Sequence, residues 1–430
     1  MKKIIYIAIV FIFALTSCTN EEKDIFGDSA ANRMTAALKE YKEILVNAPN
    51  GWIMEYYAGK DTDPAGKIGG FVFLMSFEDD LTVTIASEVL GSQPPKTQRK
   101  SYFDLIGDQG PVLTFNTYNE IFHVFSEPSQ SDLDGYGGDY EFIVMSATEQ
   151  QIVLKGRRGK HTIVMTPVAE NATWDGYIDA VTDQRNKITY PRYTVTANNT
   201  SLNYEVIINP TTNYLEVAGE RFSWGDNFTY TPTGINLYKP VRLGEYEIKT
   251  LTWDETKKQF TTVVDGVTIV LEGFYPENYS FYDDYIGDYS VQYRNISNQI
   301  VSKRCSIIAL DRNKGTYLIR GLHSRDWTAS YDVLSGGLSI LAQNLGAPQS
   351  GSEYFLLNLL SQGGGIAVSD QYRYEGTFDA EGLIIFKPNP ADPSFYGMAV
   401  LFIADFEDGT RGYAFESEND IFQNLMLKKR

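Results

Sequence analysis

Three kinds of hydrophobic patterning succeed one another along the chain. Residues 4–15 form an unbroken apolar run of twelve behind Lys2 and Lys3. From about Asp28 to Asn47 the apolar positions Met34, Leu38, Tyr41, Leu45 and Ala48 recur every three or four residues, which predicts an amphipathic helix. Asp28 or Ser29 can cap its start and Pro49-Asn50-Gly51 can stop it. Beyond Trp52 the pattern turns to alternation and to β-branched and aromatic runs, predicting strands over 52–57, 70–77, 81–87, 113–115, 122–125, 140–145, 151–154 and 162–165. Glu78-Asp79-Asp80 and Gly156-Arg157-Arg158-Gly159 lie between such runs as polar turns, so consecutive strands should pair as antiparallel hairpins.

A weaker helical pattern covers Trp174 to about Arg185, with Trp174, Tyr177, Ile178 and Val181 on one face and Gly176 working against it. It is the expected divider between domains. Strand-like runs resume at 204–208, 268–271, 307–310 and 316–319, and continue at 372–378, 383–386, 398–403, 412–415 and 425–427. Asp283-Asp284-Tyr285-Ile286-Gly287-Asp288-Tyr289 reads as the opening of a new β-unit. The fold class expected is mainly β: antiparallel sheets forming β-sandwich or lipocalin-like barrel units, with one N-terminal helix and few others. The boundaries expected are a signal at 1–17, a tether at 18–27, a helix plus antiparallel β-domain at 28–170, a middle β-region at 171–278 and a C-terminal β-barrel or sandwich at 279–430. About 410 residues beyond the signal exceed what one core usually supports.

The N-terminal run falls short of the roughly twenty apolar residues that span a bilayer, so it reads as a secretory signal core. Leu15-Thr16-Ser17-Cys18 resembles the bacterial lipobox, which implies cleavage before Cys18 and acylation of that cysteine as a membrane anchor. The polar, acidic stretch from Thr19 to Asp24 resembles the export signal of outer-membrane lipoproteins of Bacteroidota, and a cell-surface, outer-membrane location is expected. Loss of Lys2 and Lys3 leaves 35 basic against 55 acidic side chains, and no Lys/Arg cluster is larger than that at 155–160, so nucleic acid is not an expected partner. With Cys18 acylated, Cys305 is the remaining thiol and no internal disulfide can form.

Six segments carry a resemblance: Tyr41-Lys-Glu-Ile-Leu-Val-Asn-Ala-Pro-Asn-Gly-Trp52; Met54-Glu55-Tyr56-Tyr57; 71–77; Ala86-Ser87-Glu88; Gly137-Gly138-Asp139-Tyr140-Glu141-Phe142; and Val153-Leu154-Lys155-Gly156. Together they resemble domain of unknown function family 4302, whose members are lipoproteins of Bacteroidota. The likeness is strongest over 26–190 and brings no catalytic residues. It implies a setting beside a TonB-dependent transporter and a starch-utilisation-type binding lipoprotein, and hence nutrient capture; that is association rather than chemistry.

Candidate chemistry is sparse. Asp132, Asp134 and Asp139 flank a glycine-bent loop of the kind that offers hard oxygen ligands to Ca²⁺, but the twelfth position counted from Asp132 is Ile143 where a calcium loop needs Glu. An Asp-Gly turn explains the same residues. His123, His161 and His323 are scattered singly, and neither an HExxH zinc motif, a G-x-S-x-G elbow nor a Walker loop occurs. Trp224, Trp253 and Trp327, with the tyrosines around Phe281-Tyr282, Tyr285 and Tyr289, are candidate platforms for sugar rings, although large aromatics more often fill β-cores. No cofactor is expected beyond the weak Ca²⁺ reading. The expected role is a non-catalytic accessory that binds a glycan or peptide nutrient, or docks to an uptake transporter. A secreted hydrolase with a carboxylate pair and a purely structural envelope protein are the alternatives.

Overall fold

The computed structural model describes residues 28–59, 68–88, 96–128, 135–219, 221–312, 314–346, 353–362, 365–369, 373–389, 395–405 and 409–430. The signal, Cys18, Asp132 and Asp134 lie outside them. The described residues form two compact units: those up to Lys187 with Asp226–Pro240, and those of Ile188–Gly225 with Val241–Arg430.

Helix α1 (Ala30–Val46) starts where Ser29 accepts the Asn32 N–H at 3.2 Å. Its end is fixed by Trp52, whose indole N–H donates to the Leu45 carbonyl at 3.0 Å, and by Gly51 at φ +77°. A Cβ on Gly51 would lie 2.3 Å from the Met75 carbonyl oxygen, so the chain can turn this tightly into the sheet only with glycine.

The sheet that follows has nine antiparallel strands: β1 (Trp52–Ala58), β2 (Ile68–Phe77), β3 (Thr82–Ser87), β4 (Gln98–Tyr102), β5 (Asp104–Gly107), β6 (Pro111–Thr114), β7 (Glu141–Ala147), β8 (Ile152–Gly156) and β9 (Thr162–Pro167). Their order is β4-β3-β2-β1-β9-β8-β7-β6-β5, so β1 and β9 close the middle. Both faces of β2 are covered, which is why it reads as a continuous apolar run. Phe73, Met75 and Phe77 join Leu45 of α1 in the main core, while Val72 and Leu74 pack with Ala86, Val168 and Ile178 under helix α2 (Trp174–Lys187). Gly176 is tolerated because it stands in the first turn, where Thr173 Oγ1 accepts its N–H at 3.1 Å.

The stretch 122–125 differs from expectation: it is a turn leading into a short 3-10 helix (His123–Phe125), not a strand. Asn119 Oδ1 accepts the Ile121 and Phe122 N–H groups and bends the chain, so that Phe122 and Phe125 enter the core among Tyr56, Phe73, Phe115 and Phe142. A short apolar run buried on all sides looks the same in sequence whether strand or plug.

The middle region closes into an eight-stranded barrel: β10 (Arg192–Ala197), β11 (Thr200–Asn209), β12 (Tyr214–Ala218), β13 (Ser223–Thr231), β14 (Gly234–Leu243), β15 (Tyr246–Asp254), β16 (Gln259–Val264) and β17 (Val267–Phe274). Pairing of β10 with β17, Arg192 opposite Phe274 through Ala197 opposite Ile269, makes the closure. Alternating side chains such as Tyr193 and Val195, Val206 and Ile208, Leu215 and Val217 are buried, as an eight-stranded barrel of this size requires.

The remaining chain builds a fourteen-stranded sheet in which Gly287–Arg294 pairs with both Ile300–Asp311 and the last strand, Ile421–Lys429. Inward residues from its first to its last strands, among them Tyr289, Trp327, Leu338, Tyr374 and Phe422, share one core, so the sheet folds round a common interior. Cys305 is part of that core, and burial pushes its thiol up to about 12.

Candidate functional site

A cavity of about 370 Å³ opens in the C-terminal sheet between the turn at 332–336, the strands Gly337–Leu341 and Arg373–Gly376, and the hairpin that ends in Leu383–Ile385. Leu338, Phe378, Leu383 and Ile385 give it an apolar floor; Asn278, Ser335, Thr377, Lys387 and three carboxylates line the rest. Each carboxylate already has a structural partner. Asp332 accepts the Leu334 N–H at 3.0 Å and the Ser335 hydroxyl at 2.6 Å, and Asp379 accepts the N–H groups of Glu381 and Leu383 at 2.9 and 2.8 Å. Glu375 is held by Arg373 Nε at 2.6 Å. By contrast, the side chains of Asn278, Thr377 and Lys387 make no hydrogen bond or ion pair among the described residues.

Beside this cavity stands a row of aromatic rings. Tyr190 and Tyr275 have centroids 4.6 Å apart, Tyr275 and Tyr279 are 4.7 Å apart, and Phe281 stands nearly perpendicular to both at 5.1 and 5.4 Å. The row adjoins the cavity because Tyr279 follows Asn278 and donates its hydroxyl to the Val333 carbonyl at 2.8 Å. Gly336, at φ +71°, makes room: a Cβ there would be 2.7 Å from the Tyr279 ring. Burial holds the Tyr279 phenol above its ordinary range, so it serves as a hydrogen-bonding group and not as a base. Phe281 is the exposed member, at 51%.

The tyrosines next in sequence are interior. Tyr282 stacks on Tyr317 at 4.3 Å, and the hydroxyls of Tyr282, Tyr285, Tyr289 and Tyr317 all donate to backbone carbonyls. Burial pushes Tyr285 up to about 12. Sequence pattern alone could not separate Phe281 from these neighbours.

The three tryptophans separate by burial. Trp327 is a correction: it is fully buried, edge-on to Phe422 at 4.9 Å, because it points into the shared core, and a buried ring offers no face to a sugar. Trp253 is a second correction; it is 8% exposed, packs on Phe260 at 4.9 Å and donates to Glu255 Oε2 at 3.0 Å. Trp224 is half-buried between Tyr204 and the exposed Phe222, with its N–H donated to the Arg242 carbonyl at 2.8 Å.

Asp139 is also structural. Its buried carboxylate accepts the Arg158 and Gly159 N–H groups at 2.6 and 2.7 Å, and its own backbone pairs with the Tyr56 hydroxyl, so both oxygens are engaged in holding the β8–β9 hairpin. Among the described residues, no group of three or more His, Cys, Asp or Glu side chains is gathered as a metal site. His123 bonds to Asn119 and to the Phe115 carbonyl, and His161 to the Gly59 carbonyl. His323 lies 3.4 Å from Asp420. Burial alone would raise the Asp420 carboxyl, but bonds from His323 and Ser417 outweigh it and hold the group below its ordinary range.

Fold and cavity together define a mainly antiparallel β protein of sheet and barrel units with a ligand-sized, polar-rimmed cavity. Residues 22–255, more than half of the chain, match a domain of unknown function (DUF4302), and the chain belongs to that family. Residues 264–380 match a second domain of unknown function (DUF4987). No curated protein matches the chain. Among solved structures the chain is similar to a point mutant of the vaccine antigen transferrin binding protein B from Haemophilus parasuis Hp5. That match has 8% identity, spans 87% of this chain and 75% of that one, and has a TM-score of 0.15, too low to carry an argument.

Proposed function

We propose that this protein is a lipid-anchored, non-catalytic accessory of the Bacteroidota outer membrane that captures a glycan in the C-terminal cavity, beside an uptake transporter. The observation that carries the reading is the cavity itself. An apolar floor lies under unengaged neutral and cationic donors, Asn278, Thr377 and Lys387, with Phe281 exposed at the end of an adjoining aromatic row. Sugars present apolar C–H faces and hydroxyls that donate and accept, which matches this combination. Binding is favoured over hydrolysis because Asp332, Asp379 and Glu375 are each held by a structural partner, whereas a general acid must be free to give its proton. The lipid anchor rests on Leu15-Thr16-Ser17-Cys18.

The test is calorimetric titration of the soluble form beginning at Thr19 with neutral oligosaccharides, with products followed in the same samples. Binding without product is expected, and Asn278→Ala should weaken it by about tenfold, the equivalent of one or two hydrogen bonds. Product release, or affinity indifferent to Asn278→Ala and Phe281→Ala together, would overturn the reading.

A further inference from the structure

The N-terminal unit holds a larger and separate cleft, about 660 Å³, between the strand end of its sheet and the first turn of α2. Its wall follows from strand alternation. On the face of the sheet that α2 covers, Val72 and Leu74 of β2 and Ala86 of β3 are apolar and pack with Ile178. Continuing along that same face, beyond the helix, Ser76 and Thr84 stand directly opposite each other, and Gln98 follows on β4 opposite Ala86. The side chain thus changes from apolar to polar where helix cover ends, with Lys100 opposite Thr84 on the same face, and Ser76, Thr84 and Gln98 line the cleft. Their hydroxyls and amide make no hydrogen bond among the described residues. Facing them is Trp174, locked by donation of its N–H to the Asn50 carbonyl at 2.9 Å; Asn50 in turn donates to the Ala169 and Ala172 carbonyls at 2.9 and 2.6 Å.

We infer that this cleft is a second carbohydrate-binding site, specific for a neutral saccharide and independent of the C-terminal cavity. The chemistry of the lining selects that class. Among the described residues no cation lines it and Asp175 is the one carboxylate that does, which disfavours anions and gives a cationic ligand little charge to pair with. Hydroxyls and a side amide both donate and accept, as sugar hydroxyls do, and a rigid indole at the edge supplies an apolar surface for ring C–H groups. The volume falls in the range of small-ligand sites, about 300 to 1,000 Å³.

The test uses the full soluble chain with maltoheptaose, cellohexaose and xylohexaose at millimolar concentration, read by hydrogen exchange and by titration. At least one sugar should slow exchange in peptides covering 49–51, 76–84 and 172–175. The double variant Thr84→Val with Gln98→Ala, a near-isosteric change and a change at an exposed position, should abolish that protection and weaken the corresponding affinity by about tenfold. Asn278→Ala should leave it intact. Protection confined to 332–387, protection here that survives Thr84→Val with Gln98→Ala, or no protection here with any of the three sugars would each overturn the inference. The first of these outcomes would leave the C-terminal reading standing, and binding here without binding there would do the reverse.

Discussion

Asp139 is 5% exposed and accepts two backbone N–H groups, from the exposed residue Arg158 and the buried Gly159. Asp139→Ala leaves the Gly159 donor buried without an acceptor, at about 1 to 3 kcal/mol, and frees the part-buried Arg158 donor at less, so a loss of about 1 to 3 kcal/mol is expected. A lowered urea midpoint with unchanged slope would show it. His123 supplies a pH test. Burial lowers its pKa despite the raising influence of its bonds to Asn119 and Phe115, so the folded state prefers the neutral ring. The sign follows: the stabilisation is present above the unfolded value of about 6.5 and is lost as pH falls through the folded pKa. The urea midpoint should therefore decline below pH about 6.5, and His123→Asn, which does not titrate, should remove that part of the decline. Side-chain identities were legible in sequence at both positions. Their roles were not, because the partners of Asp139 lie about twenty residues downstream and are backbone atoms, which composition does not reveal.

The helix α1 and its stop are where local sequence and structure agree most closely. Spacing of Leu38, Tyr41 and Leu45, a Ser29 cap and a Pro-Asn-Gly stop were all readable, because each acts within one turn. Gly51 is the hinge between that helix and β1, and Gly51→Ala places a methyl group against the Met75 carbonyl at a positive φ. A destabilisation of about 2 to 3 kcal/mol is expected from the combined strain. Calorimetric melting of the variant checks it, and a melting point unchanged within error would mean that β2 shifts freely away. The run 122–125 shows the opposite case: its apolar content was visible, but the Asn119 side chain that turns it into a plug competes with strand formation through a local bond. Helix α2 formed despite Gly176 because its first turn is capped by Thr173.

For the molecule as a whole, family boundary and structural boundary differ. The match to the first family ends at residue 255, after β15, while the barrel closes only when β16 and β17 bring Phe274 opposite Arg192. A chain ending at 255 would leave β10 and β15 as open edges, which invite pairing with other chains. It should aggregate, whereas a chain ending at 278 should give more soluble protein; size-exclusion chromatography of the two decides, and a soluble monomer from the shorter chain would contradict closure as the requirement. The sequence by itself determined the antiparallel β class, the N-terminal helix and most hairpin turns, since these depend on periodicity and on residues a few positions apart. Only the tertiary structure decided that the middle region is a barrel, for alternation is the same in an open and a closed sheet and closure depends on two strands some seventy residues apart. It also decided which aromatic rings face outward. Trp327 and Phe281 are both large and apolar, yet one fills the shared core and the other lies beside a cavity assembled from 278, 332–338 and 375–387. Exposure is a property of what packs against a side chain from elsewhere in the chain, and no local pattern contains it.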